Sequence, residues 1–79
     1  MPTTDEIRLR IETAIPGARA DVEDWTGGGD HFRATVVADA FAGLSRLQQH
    51  RLVYDVFGDE VGGAIHALSI KTSTPGGTA

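Results

Sequence analysis

Cysteine is absent from the sequence. That excludes disulfides, thiolate metal sites and a cysteine nucleophile. Long apolar runs are absent as well: none approaches the roughly 18 residues that would cross a bilayer as a helix, so no membrane span is expected. Basic residues are outnumbered. Seven Lys and Arg face 11 Asp and Glu, for a net charge of −4, and bulk electrostatics of this sign exclude a general nucleic-acid binder. The amino terminus, Met-Pro-Thr-Thr-Asp-Glu, has neither the basic-then-apolar plan of a secretory signal nor the Arg-rich, acid-poor plan of a transit peptide, so a cytoplasmic protein is expected. Catalytic groupings are lacking too. Ser45 and Ser69 have no evident His-plus-carboxylate relay and no carboxylate pair is distinctive, so the chain is read as not an enzyme.

What is present is an ordinary globular composition, 41% hydrophobic and 23% charged over 79 residues, which indicates one domain. A domain of this size buries only about 60–65% of the surface of its unfolded chain, so the core must be thin. Residues 1–75 are read as that domain and 76–79 as a flexible tail.

Residues 3–15 read as a helix. Thr3 and Glu6 fit a capping box, Asp5 and Glu6 suit the positive end of the helix dipole, and Ile7, Ile11, Ala14 and Ile15 form an apolar stripe. Pro16-Gly17 ends it. Residues 18–25 alternate, with Ala18, Ala20 and Val22 against Arg19, Asp21 and Glu23, as in a half-buried strand. Trp25 precedes the turn Thr26-Gly27-Gly28-Gly29-Asp30, which suits an antiparallel hairpin. No Gly-Lys-Ser/Thr follows, so the glycines do not read as a phosphate loop.

Residues 31–38 alternate again, Phe32, Ala34 and Val36 against His31, Arg33 and Thr35. Phe41 is expected to tuck under the connection that follows. Residues 44–61 read as helical, capped by Ser45 and broken at Gly58; Leu44, Leu47, Arg51, Tyr54, Phe57 and Val61 share a helical spacing, and so do Leu52 with Val56 and Val53 with Phe57. Gly62-Gly63 ends this segment, and residues 64–72 form a third strand. The hairpin makes the first two strands antiparallel, while the long helical crossover suits a parallel second pair. The expectation is an α+β fold: a three-stranded mixed sheet with helices on one face and the other face open.

This order bears on two histidines. His31 and His66 each stand at or just before the first residue of a strand, and in a parallel pair those ends share one edge of the sheet, with strands about 4.8 Å apart. Strict pleat parity places the two on opposite faces. Two imidazoles make an open, incomplete metal site. An imidazole can replace a thiolate on a 2Fe-2S cluster and raises its potential, so a chain without cysteine suits a cluster whose thiolates come from a partner. A solvated or hydrogen-bonded histidine is the plain alternative. Arg46, His50 and Arg51 read either as a solvated helix face or as a contact to phosphate or to an acidic partner. Trp25 and Tyr54 read as packing or as interface anchors.

The segment from His31 to Pro75 resembles the BolA-like family. The residues that carry the likeness are Asp30-His31-Phe32, Phe41-x-Gly43-x-Ser45-Arg46, His50-Arg51-Leu52-Val53-Tyr54, and Ile65-His66-Ala67-Leu68-Ser69-Ile70-Lys71-Thr72 followed by Thr74-Pro75. The resemblance implies an αββααβ fold similar to class II KH domains. It also implies a heterodimer with a monothiol glutaredoxin of the CGFS type, in which the pair shares a glutathione-ligated 2Fe-2S cluster in iron–sulfur trafficking or iron and redox regulation. The isolated chain would be a monomer without cofactor. The family's histidine ligand matches His66. Its second ligand, His or Cys in the loop before the second strand, matches His31, the histidine-loop type. Some members are described as transcriptional regulators that bind DNA through the helix-turn-helix-like segment, here residues 44–61. Two departures stand out. The chain stops at Ala79 where many members continue into a further short helix. The helical segment carries Gln48 and Gln49, followed by Asp55, Asp59 and Glu60, so its basic patch is thin.

Overall fold

The structure, a computed structural model, describes residues 3–25, 27–28, 31–63, 65 and 67–76. The first helix, α1 (Thr4–Ala14), starts where the Thr3 hydroxyl accepts a hydrogen bond from the Glu6 N–H at 3.1 Å, satisfying a donor that has no partner within the helix. Arg8 and Glu12 pair one turn apart at 2.9 Å. Ile7, Ile11 and Ile15 are buried, while Ala14 is exposed, so the buried stripe is narrower than the sequence pattern indicated.

Strands β1 (Arg19–Asp24) and β2 (His31–Val37) pair antiparallel, with Arg19 opposite Val37 and Asp24 opposite Phe32. At the start of the hairpin turn the Gly27 N–H donates to both the main-chain carbonyl and the carboxylate of Asp24, and Gly27 has φ +76°, where a side chain would be strained. A turn of 3-10 helix, Asp39–Phe41, follows. Phe41 is fully buried there, as expected, and its burial contributes about 1.5–3 kcal/mol.

Helix α2 (Arg46–Phe57) opens with a reciprocal capping box. The Gln48 N–H donates to the Ser45 hydroxyl at 3.1 Å, and the Ser45 N–H donates to the Gln48 side-chain carbonyl at 2.9 Å. It ends at Gly58, whose φ of +55° and ψ of −124° no other residue adopts without cost. The second helix implied by the αββααβ plan is a single 3-10 turn, Gly58–Glu60. Three residues before Gly62-Gly63 leave no room for an apolar stripe.

Of the overlapping spacings on α2, the one through Val53 and Phe57 is buried and the one through Leu47 and Tyr54 is not. Gln49, Val53 and Phe57 form the buried face of the helix, whereas Leu47 is 67% exposed and Leu52 and Tyr54 also reach solvent. The Gln49 amide explains the choice. It donates to the carbonyls of Leu44 and Phe41, and its oxygen accepts from the Thr72 hydroxyl at 2.6 Å. A polar residue is thus fully satisfied inside, and it rotates the helix away from the purely apolar reading.

Strand β3 (Ala67–Ser73) runs parallel to β2, with His31 opposite Ala67 and Val37 opposite Ser73. It starts later than residue 64 and ends one residue beyond 72. Ile65 is drawn into an isolated bridge with Val61, and residues 64 and 66 lie outside the described residues. The sheet order is β1-β2-β3. Phe32, Ala34, Val36 and Leu68 join Ile7, Ile11, Val53 and Phe57 in one core, so both helices cover one face. The other face presents Arg19, Asp21, Glu23, Arg33, Ser69 and Lys71 to solvent.

Candidate metal-ligand edge of the sheet

His31 is the first residue of β2 and is half-buried. Pleat parity places it with Arg33 on the open face, opposite the core residue Phe32. The hairpin brings Trp25 beside it. Asp24 pairs with Phe32, so the residue after Asp24 meets the residue before Phe32. The two rings meet edge to face, with centroids 6.0 Å apart and planes at 85°, a favoured aromatic arrangement. On the same ring the Arg33 guanidinium carbon lies 5.5 Å from the centroid, within cation–π range. Trp25 remains 52% exposed. Packing alone would have buried it; it forms instead a half-open wall beside His31.

His66 and Asp30 lie outside the described residues, and so does the parity expected of His66. The chain on either side of His66 is held. The Ile65 N–H donates to the Glu60 carbonyl at 2.9 Å, and the Ile65 carbonyl accepts from Gly62 N–H at 2.7 Å. Ile65 is fully buried. On the other side Ala67 enters the ladder opposite His31. The turn leading to His66 is tied to α1 as well. Arg10 donates to both carboxylate oxygens of Glu60 and to the Val56 carbonyl, and lies 4.8 Å over the Phe57 ring. The hydrogen bond from Arg10 holds the Glu60 carboxyl below its ordinary range, and the same bond raises Arg10. Among the described residues no three His, Asp or Glu side chains converge on a common point.

The three other candidates separate. Arg46 and His50 line one cleft of about 220 Å³ together with Ile70, Lys71 and Thr72. Arg51 lines a different one with Leu44, Gln48, Leu52 and Asp55. Two residues escaped the sequence reading: Trp25 as a neighbour of His31, and Lys71 as a companion of Arg46. The period of two along β3 already set Lys71 on the open face. Nothing local marked the long-range pair Arg10–Glu60.

The family model for BolA-like proteins matches residues 8–77. This chain belongs to the BolA-like family. Human BolA-like protein 1 is 38% identical over 81 residues, covering 94% of this chain and 59% of that protein, so the chain spans less than two thirds of that relative's length. SufE-like protein 1 of Arabidopsis thaliana is 48% identical over 80 residues, which make up 20% of it. Its name places it in chloroplast or mitochondrion, and family membership therefore does not restrict the compartment to the cytoplasm. The solved structure of a BolA homologue from Coxiella burnetii superposes with a TM-score of 0.80 at 43% identity, covering 96% of this chain and 95% of that one. No helix among the described residues is long and apolar enough to cross a membrane.

Proposed function

We propose that this BolA-like chain is a non-enzymatic partner of a monothiol glutaredoxin of the CGFS type, sharing with it a glutathione-ligated 2Fe-2S cluster in iron–sulfur trafficking or iron and redox regulation. His66 is the principal ligand offered by this chain and His31 the second. The observation that carries the reading is the register of the parallel pair. His31 stands opposite Ala67, the residue that follows His66 in the sequence. The donor chemistry fits. Imidazole nitrogen ligates iron in 2Fe-2S centres, and a chain without cysteine leaves the thiolate positions to partner and glutathione. When bound, the cluster would supply one-electron chemistry; this chain's residues would hold it and set its surroundings. Trp25 limits the directions from which the His31 ring can be approached, and Arg33 lies over the Trp25 ring.

The test is the visible absorption and circular dichroism spectrum of the co-purified heterocomplex. A cluster spectrum distinct from that of the glutaredoxin homodimer, lost in His66→Ala and altered in His31→Ala, is the expected result. A wild-type spectrum in His66→Ala would refute the ligand assignment.

The alternative, a DNA-binding regulator acting through residues 44–61, has less support. Arg51 lines a cleft with Asp55, away from Arg46 and His50, and phosphate-driven binding needs several cations acting together. A gel shift with no binding even at low salt would end that alternative.

A further inference from the structure

The chain reaches His66 through a short segment rich in glycine. Helix α2 stops at Gly58, with φ +55°, and Gly62 and Gly63 follow close behind. Glycine leaves the backbone more freedom than any other residue, and that freedom must be removed if the next side chain is to point one way. The sheet does this only from Ala67 onward, where the ladder with β2 begins. Ahead of His66 something else must do it.

The restraints there converge on Glu60. Its carbonyl accepts from the Gly63 N–H at 3.0 Å and from the Ile65 N–H at 2.9 Å, which closes the chain on itself just before His66. Its carboxylate receives the two terminal nitrogens of Arg10, one on each oxygen, the paired geometry that fixes direction as well as distance. The same guanidinium donates to the Val56 carbonyl at 3.2 Å and lies 4.8 Å over the Phe57 ring. One side chain of α1 therefore ties the last turn of α2 to the turn after it. Holding the Glu60 carboxylate limits the rotation of the residue whose carbonyl supports Ile65. Burial of Ile65 does not replace this, since apolar contact is non-directional and hydrogen bonds set angles. Arg10 and Glu60 are 40% and 43% exposed, so their pair adds little to global stability. Its effect is on direction more than on energy.

We propose that Arg10 is a positioning residue for His66: through Glu60 it sets the segment that presents this imidazole to the shared cluster. The proposal rests on the ligand reading of His66 given above and deepens it. Arg10 is not itself a ligand, because a guanidinium stays protonated and offers no lone pair.

The experiment pairs Arg10→Met, which keeps an apolar stem and removes the fork, with Arg8→Met as control. Arg8 pairs within α1, so opening of the segment before His66 leaves that pair intact. In the free chain, amide hydrogen exchange at Gly63 and Ile65 is expected to quicken about fivefold in Arg10→Met and to stay at the wild-type rate in Arg8→Met. In the heterocomplex, Arg10→Met is expected to alter the circular dichroism of the cluster and to shorten its lifetime about tenfold or more, with affinity for the cluster-free glutaredoxin unchanged. Arg10→Lys, which keeps the charge without the fork, should fall between. Wild-type exchange at Gly63 and Ile65 in Arg10→Met would overturn the proposal, as would equally quickened exchange in Arg8→Met. A cluster of wild-type spectrum and lifetime in Arg10→Met would overturn it too. A wild-type heterocomplex without any cluster would refute the function proposed above and take this role of Arg10 with it; the exchange rates of the free chain separate that case from one in which Arg10 does not brace the segment.

Discussion

Thr72 shows how much one hydroxyl does in a thin core. It is 2% exposed and gives its hydrogen bond to the Gln49 side chain, which in turn satisfies two carbonyls in the connection before α2. Thr72→Val keeps the shape and leaves the Gln49 oxygen buried without a donor. The expected loss is about 1–3 kcal/mol, read from urea unfolding. Adding Gln49→Met to Thr72→Val should cost less than the sum of the two single changes, because the shared bond can be lost only once. Additive losses would show that the two side chains do not act as a unit. At this same scale the sequence was least informative. A glutamine between Gln48 and His50 looks like a solvated residue, and only the tertiary position of β3 reveals why it is inside.

Elements were far more legible than residues. Alternation placed β1 and β2, and the Ser45 cap placed the start of α2, because each signal is local chemistry acting on adjacent backbone. The parallel pairing of β2 and β3 followed from the length of the crossover. What stayed open was the phase of α2, where Leu47 with Tyr54, Leu52 with Val56 and Val53 with Phe57 look equally core-facing by spacing alone. Helical spacing admits several overlapping stripes, and the choice among them rests on which face meets the sheet. The start of β3 failed for a related reason, since Ile65 is held by a bridge to Val61 rather than by the strand ladder. The His31 end of the candidate site was legible from strand phase, and its Trp25 neighbour was not, because that contact exists only across the hairpin. Gly58 gives this scale its test. Its backbone lies in a region closed to residues with a Cβ, so Gly58→Ala should destabilise by about 1–3 kcal/mol, although no atom lies within 4 Å of the added Cβ. A melt unchanged from wild type would mean that the α2 terminus relaxes freely.

For the whole molecule the informative link is Arg10–Glu60, which joins α1 to the turn leading toward His66. The Glu60 carboxyl is held below its ordinary value by the Arg10 hydrogen bond. A carboxylate lowered in the folded state stabilises above its unfolded value, about 4.3, and that stabilisation is lost as pH falls through the lowered folded value. Both side chains are more than a third exposed, so the effect is modest and screened by salt. Glu60→Gln should melt at a lower temperature than wild type at pH 7 and low salt, with the gap closing toward pH 3. A gap that persists at pH 3 would trace the loss to packing rather than charge. At this scale one face of the sheet, with Arg19, Asp21, Glu23, Arg33, Ser69 and Lys71, stays uncovered by the helices.

The pairing of Trp25 with His31 has an optical consequence. The chain has one tryptophan, and it stands half in solvent against the ring proposed as an iron ligand. Its ultraviolet emission therefore originates at a single place, the mouth of the hairpin. Iron held at His31 would quench it by energy transfer, and a protein seated over that end of the sheet would move it toward the blue by removing water. Loading and docking at this end would thus leave separate signatures in one unlabelled emission band.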